Sequence, residues 1–303
     1  SSRGATKHLA QNITYQEEIV SGISAYNSDG FTVGSNGDAN TAGATYVAWQ
    51  WKANGGTTSS NTSGTINSTV QVNQDAGFSI GTYTGNGSTA DQNVGHGLGV
   101  RPNCVIVKNR TAAANWVVYI DGLAVNHCLE LNTTDTQSDS TAGRVLATTA
   151  GSYGTSSIFT LRVGGGSVVQ TNTNNSNYVF YAFAEKQGYS KFGKYVGNGN
   201  ANGAFVYLGF KPAFLLLKNS TNIGHNWHLM DTKINPTGNL IRQNLSPSAN
   251  IAEQAYDICD FLSNGFKFRG TNGAWNGNGE SYIYMAFAEN PFTTSTGVPT
   301  TAR

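Results

Sequence analysis

Residues of catalytic type are sparse in this chain, and their spacing decides what each could do. Gly77-Phe78-Ser79-Ile80-Gly81 has the Gly-x-Ser-x-Gly pattern of a nucleophile elbow, which needs a sharp strand-to-helix turn to lift the serine hydroxyl toward substrate. Here the serine sits inside FSIGTYT, an alternating run with no helical pattern behind it, so Ser79 is expected as a plain strand serine. His225, His228 and Asp231 in GHNWHLMD are side chains of the types that bind zinc. Residues three apart on a strand face opposite ways, however, and the matching stretch NWVVYID (115–121) has no histidine. His96 in GHGLG and His127 in VNHCLE are isolated and read as turn or core histidines. Asp257 and Asp260 could flank a glycosidic bond, but a glycosidase needs two carboxylates projecting into one cleft. They read instead as the solvated end of a short helix over 250–258. GNGNANG (197–203) lacks the Lys-Ser/Thr and the helix of a phosphate loop. The sequence therefore predicts no catalytic residue, no metal ligand and no cofactor.

Aromatic residues are the remaining candidates. Trp116 and Trp227 recur at one place in two related segments and read as core. Trp275, in the loop TNGAWNGNGE, is of the kind that stacks on a sugar face. A loop tip packed on a neighbouring subunit is the alternative reading of Trp275, and both remain open.

The elements that must hold these residues follow from composition. Charged residues make up 12% of the 303, and 37 glycines with many Asn, Ser and Thr take up the difference. That mix favours short strands and turns over long helices. Eighteen basic and 17 acidic residues leave a net charge of +1, which supplies no field for nucleic acid. No stretch approaches the roughly 18 apolar residues of a membrane helix. The start, SSRGATK, has neither Met nor an apolar leader, which suggests a fragment or a processed product. Cys104, Cys128 and Cys259 are odd in number and lack CxxC spacing, so they are expected as buried, unpaired thiols from a reducing cytoplasm.

Self-similarity organises the chain. LGVRPNCVIVKN (98–109) aligns with LGFKPAFLLLKN (208–219), NW (115–116) with NW (226–227), YTGNG (83–87) with YVGNG (195–199), and YVFYAFAE (178–185) with YIYMAFAE (282–289). Two homologous domains follow, 78–185 and a more divergent 191–292. Residues 1–53 end in YVAWQWKA and read as the second half of a third unit, to be completed by upstream chain or by strands from a neighbouring subunit. Residues 54–77 form a polar junction whose TINSTVQV could be the first strand of the next domain, and 293–303 a flexible tail.

Within a domain the apolar period is two. Runs such as NCVIVKN, NWVVYI and SIFTLRV, separated by NGN, GGG and TNTNN, predict an all-β fold of tandem antiparallel β-sandwiches of jelly-roll or concanavalin-like type. Each closing strand is expected to turn its large residues into its own sandwich: Val179, Tyr181 and Phe183, then Ile283, Met285 and Phe287, and in the first unit Val47, Trp49 and Trp51.

FSIGTYTGNGSTADQNVGHGLGVRPNCVIVKNR (78–110), with NWVVY, LELNTTD and YVFYAFAE after it, resembles a repeated module of virion proteins from tailed phages, many of them phages of marine bacteria and cyanobacteria. RGATKHL (3–9), SDGFTVGSN (28–36) and TYVAWQWKA (45–53) resemble the end of the preceding module. The resemblance implies a lectin-like sandwich in a tail fibre, tail-associated or capsid-surface protein, assembled in the host cytoplasm, and carries no catalytic residues. The expected function is non-enzymatic: a structural or adhesive virion protein whose partners are other virion proteins and identical subunits, as a trimer in a fibre. The rivals are a carbohydrate-binding module for host surface glycans, a capsid decoration protein, and a depolymerase, for which no activity is expected.

Overall fold

The alternating runs form strands, and every ladder between them is antiparallel. The structure is a computed structural model and describes residues 3–139, 154–161, 170–235 and 239–289. The expected tail, 293–303, lies outside the described residues. One short helix, Gly37–Asn40, occurs among them, begun by an Asn36 side chain that accepts the Asp38 amide at 2.9 Å. The protein is an all-β sandwich fold.

An eight-stranded sheet occupies the middle of the chain. Its order is Ser138–Asp139, His127–Glu130, Val117–Ile120, Cys104–Asn109, Asn177–Phe183, Phe78–Thr84, Ser68–Asn73, Ser59–Asn61. TINSTVQV thus contributes the strand Ser68–Asn73. A small sheet of Gln92–Gly95 and Ile158–Leu161 covers one face. Toward the C-terminus, a four-stranded sheet runs Ser190–Val196, Ser281–Ala288, Pro212–Asn219, His228–Asp231. It stacks on a second sheet, Phe205–Tyr207, Gly265–Phe268, Gln254–Leu262, Leu240–Asn244. In both units the last strand in sequence lies at the centre. Asn177–Phe183 pairs with Phe78–Thr84 and Cys104–Asn109, and Ser281–Ala288 with Ser190–Val196 and Pro212–Asn219.

The faces of these central strands correct the expectation. Tyr282, Tyr284 and Ala286 point into the last unit's own sandwich, with Val206, Phe266 and Phe268. Their counterparts Tyr178 and Phe180 face the small sheet's side, where Phe180 meets Phe159 edge-on at 5.0 Å. The larger-looking set lies on the opposite face. Ile283, Met285 and Phe287 join a cluster with Phe183, and the Phe183 and Phe287 rings are 6.0 Å apart. Both faces are therefore buried, one against its own sandwich and the other against a neighbouring unit. Alternation assigns residues to faces but does not say which face is which.

Two further expectations change. Residues 45–53 form no ladder, although Trp49 and Trp51 turn inward and Gln50 and Lys52 outward as a strand's would. Trp51 wedges among Phe183, Phe214 and Phe287 at 5.5–5.9 Å, and Trp49 donates to Asp231 Oδ2 at 2.7 Å. Residues 250–258 are not helical. Gln254–Leu262 is a strand, because pairing with Leu240–Asn244 and Gly265–Phe268 outweighs the helix preference of IAEQA.

Candidate functional site: a repeated lysine–tryptophan joint

The catalytic-type residues that the sequence singles out have structural partners. Ser79 lies on a strand, fully buried, and its hydroxyl donates to His96 O at 2.7 Å. His96 accepts the Leu98 amide at Nδ1 (3.1 Å), so the proton sits on Nε2, which faces Thr155 O at 3.2 Å. His228 is buried, with Nδ1 2.9 Å from Asn244 Oδ1 and its ring edge-on to Trp275. Burial pushes its pKa down to about 4. Asp231 receives Trp49 rather than joining the histidines, and no group of three His, Cys, Asp or Glu among the described residues is placed to hold a metal. Asp257 pairs with Arg242, and Asp260 with Arg269. The three cysteines are buried, as expected, and form no disulfide with one another.

Trp275 is not a loop tip. It is 2% exposed, sits in the last unit's core under Tyr256, and offers no open face to a sugar. Its backbone carbonyl accepts the Tyr195 hydroxyl at 2.8 Å, which draws the Asn/Gly loop inward.

Two residues that sequence reasoning passed over are the most unusual charges among the described residues. Lys108 and Lys218 end the aligned strands VIVKN and LLLKN, and both are 0% exposed. Burial lowers each ammonium to about pH 8. The lysines are held by backbone carbonyls, which compensate part of the lost hydration. Lys108 Nζ donates to Ala114 O at 2.6 Å and Thr14 O at 2.9 Å; Lys218 Nζ donates to His225 O at 2.8 Å, Asn219 O at 3.1 Å and Thr134 O at 3.2 Å. Lys108 also lies 5.9 Å from the Trp116 ring centroid.

Thr14 and Thr134 belong to the unit before the lysine, and the tryptophans reach the same way. Trp116 Nε1 donates to Ala10 O, and Trp227 Nε1 to Glu130 O, each at 2.9 Å. The backbone repeats the pattern. Ala114 N donates to Thr14 O and Glu17 N to Arg110 O; one unit on, Gly224 N donates to Thr134 O and Gln137 N to Ser220 O, all at 2.9–3.1 Å. The gripped segments are LAQNIT (9–14) and LELNTT (129–134). Each unit thus closes on its predecessor through one lysine, one tryptophan and a short strand-like pairing. The first joint adds charge, because Glu17 bridges Arg3 and Arg110. Burial alone raises the Glu17 carboxyl, but the hydrogen bonds from Arg110 and Arg3 outweigh it and hold it below the usual carboxylate range.

The arrangement holds units together. Each ammonium is shielded from solvent, and each indole N–H is spent on a carbonyl. The signal that could have found the lysines was their exact register after an apolar run; their burial has no signature in sequence.

A family model described as a domain of unknown function (DUF7483) covers residues 1–291. None of the curated proteins and none of the solved structures compared matches.

Proposed function

This chain belongs to the DUF7483 family, and from that premise we propose that it is a non-enzymatic structural protein of a tailed-phage virion, a tail fibre, spike or surface-displayed adhesin. The observation that carries the reading is the repeated joint. Two buried lysines and two buried tryptophans are committed to fastening unit to unit, which suits a protein that must stay extended and intact outside the cell. Low charge and Asn/Gly-rich loops suit an exposed surface. The virion assignment itself comes from the likeness of residues 78–110 and their companions to phage modules. Immunogold labelling of purified particles with antibodies to this chain tests it. Label on intact particles is expected, and absence of the chain from particles overturns it.

A second reading, recognition of a host surface glycan, is favoured by one edge strand. In Phe205–Tyr207 the outward residues Phe205 and Tyr207 are 48% and 60% exposed, and Lys191 Nζ lies 5.5 Å from the Tyr207 ring centroid. Aromatic rings two apart on a strand, with an ammonium alongside, can stack on successive sugars. Loss of glycan-array binding on Tyr207→Ala, with Trp275→Phe unaffected, is the expected result.

A further inference from the structure

The last unit carries the acceptor half of the joint as well as the donor half. Its register is fixed by bonds that recur from the middle unit. Thr133 N donates to Glu130 O, and Ala249 N to Ser246 O. Trp116 N donates to Asn132 Oδ1, and Trp227 N to Ser248 Oγ; Asn132 in turn bonds Asn115, and Ser248 bonds Asn226. Leu245 pairs with Leu229 in both directions, as Leu129 pairs with Val118. Ser246 O therefore corresponds to Glu130 O, the tryptophan acceptor. Asn250 O corresponds to Thr134 O, the lysine acceptor, and the Glu253 amide to that of Gln137.

In the middle unit these positions are filled by Lys218, Trp227 and the 220–224 loop. In the last unit Asn250, Ile251, Ala252 and Glu253 are exposed and make no hydrogen bond among the described residues. Ile251 is 44% exposed, and the Ser246 hydroxyl is buried without a partner among the described residues. Unpaired backbone beside an exposed isoleucine is an edge of the kind proteins cover.

We propose that Ser246–Glu253 is the open half of a third joint, and that its occupant is a further module of this same fold. The chemistry of that occupant is specified. It presents a lysine Nζ to Asn250 O, an indole N–H to Ser246 O and a loop carbonyl to the Glu253 amide. Continuity with the two filled joints is the argument, and it does not depend on the virion reading. The contact is heterologous, head to tail, so it extends rather than closes on itself.

The probe is this chain shortened to residues 54–303, whose Lys108–Trp116 hairpin has lost the 9–14 segment it grips. By sedimentation velocity it is expected to bind the intact chain, and, carrying both ends, to associate with itself. Ile251→Asp in the intact chain alters an exposed side chain outside any strand and is expected to abolish the complex. A shortened chain with native near-UV circular dichroism that ignores the intact chain overturns the proposal, as does a complex indifferent to Ile251→Asp. Should the shortened chain fail to fold, the intact chain is instead lengthened after Glu289 by a second copy of residues 186–289. Hydrogen exchange at the Glu253 amide is then expected to slow by about tenfold or more, and unchanged exchange overturns the proposal.

Discussion

Trp227 and Trp275 make a controlled pair. Both are buried, at 1% and 2% exposure. The Trp227 indole N–H bonds Glu130 O, whereas no acceptor among the described residues lies within reach of the Trp275 indole N–H. Removing one partner of a buried hydrogen bond costs about 1–3 kcal/mol beyond the change in packing. Trp227→Phe is therefore expected to lose more stability than Trp275→Phe by about that margin, as urea denaturation would show; equal losses would deny the bond its role. Lys218 gives a pH signature. Its pKa is about 8 in the fold against an ordinary 10.5. Below pH 8 the folded and unfolded chains both hold the proton. Between 8 and 10.5 only the unfolded chain does, so this lysine makes stability rise with pH across that window. The buried thiols of Cys104 and Cys259 and the phenols of Tyr195 and Tyr282, all raised by burial, act in the opposite sense at high pH. Comparison with Lys218→Met removes their contribution. The stability of wild type relative to the variant is expected to rise from pH 8 to 10, and parallel pH profiles would mean that the ammonium is not desolvated.

Strands were legible and their neighbours were not. FSIGTYT, NCVIVKN and NYVFYAF become strands where the alternation puts them, because a period of two is a local property. The side facing home was misread for Val179, Tyr181 and Phe183, since a sheet covered on both faces carries apolar residues on both. YVAWQWKA kept its alternation but not its ladder. IAEQAYDI was misread because local propensity cannot see two partner strands. Trp275 looked like an exposed loop residue, a sugar platform or a subunit contact, because Asn and Gly around it signal a turn, and a turn can fold inward. One close approach between units is equally invisible in sequence. Gly122 has φ +105°, and a Cβ there would lie 2.8 Å from Lys194 Cβ and 3.1 Å from Lys194 N on the strand Ser190–Val196. Both the backbone conformation and the contact exclude a side chain. Gly122→Val is expected to cost about 2 kcal/mol or more and to loosen the middle unit from the last, read as faster hydrogen exchange along Ser190–Val196. Exchange confined to the Gly122 loop would mean that the strain is absorbed locally.

At the scale of the molecule, the units do not form beads on a string. The outer face of the middle unit's sheet and that of the last unit's sheet share one aromatic cluster, Phe78, Phe183, Phe192, Phe214 and Phe287, and the first segment inserts Trp51 into it. Residues 3–53 otherwise bury little: the strands Glu18–Ile19 and Ile23–Tyr26 and the helix Gly37–Asn40 contain no buried residue. Their attachment therefore rests on the Trp49–Trp51 wedge at one end and the Lys108–Trp116 joint at the other. A segment so held should share the global unfolding of the sheets only while both fastenings stand. Trp51 is half-buried, so Trp51→Ala is expected to cost about 2–3 kcal/mol, below the loss for a fully buried tryptophan. More tellingly, it should separate two events that are expected to coincide in the wild type. The Ala114 and Glu17 amides, which join the first segment to the middle unit, should exchange at a lower opening free energy than the amides of Asn177–Phe183. If the two sets stay equally protected in the variant, the wedge is decoration and the joint alone holds the segment; if they already differ in the wild type, the three units never unfolded as one body.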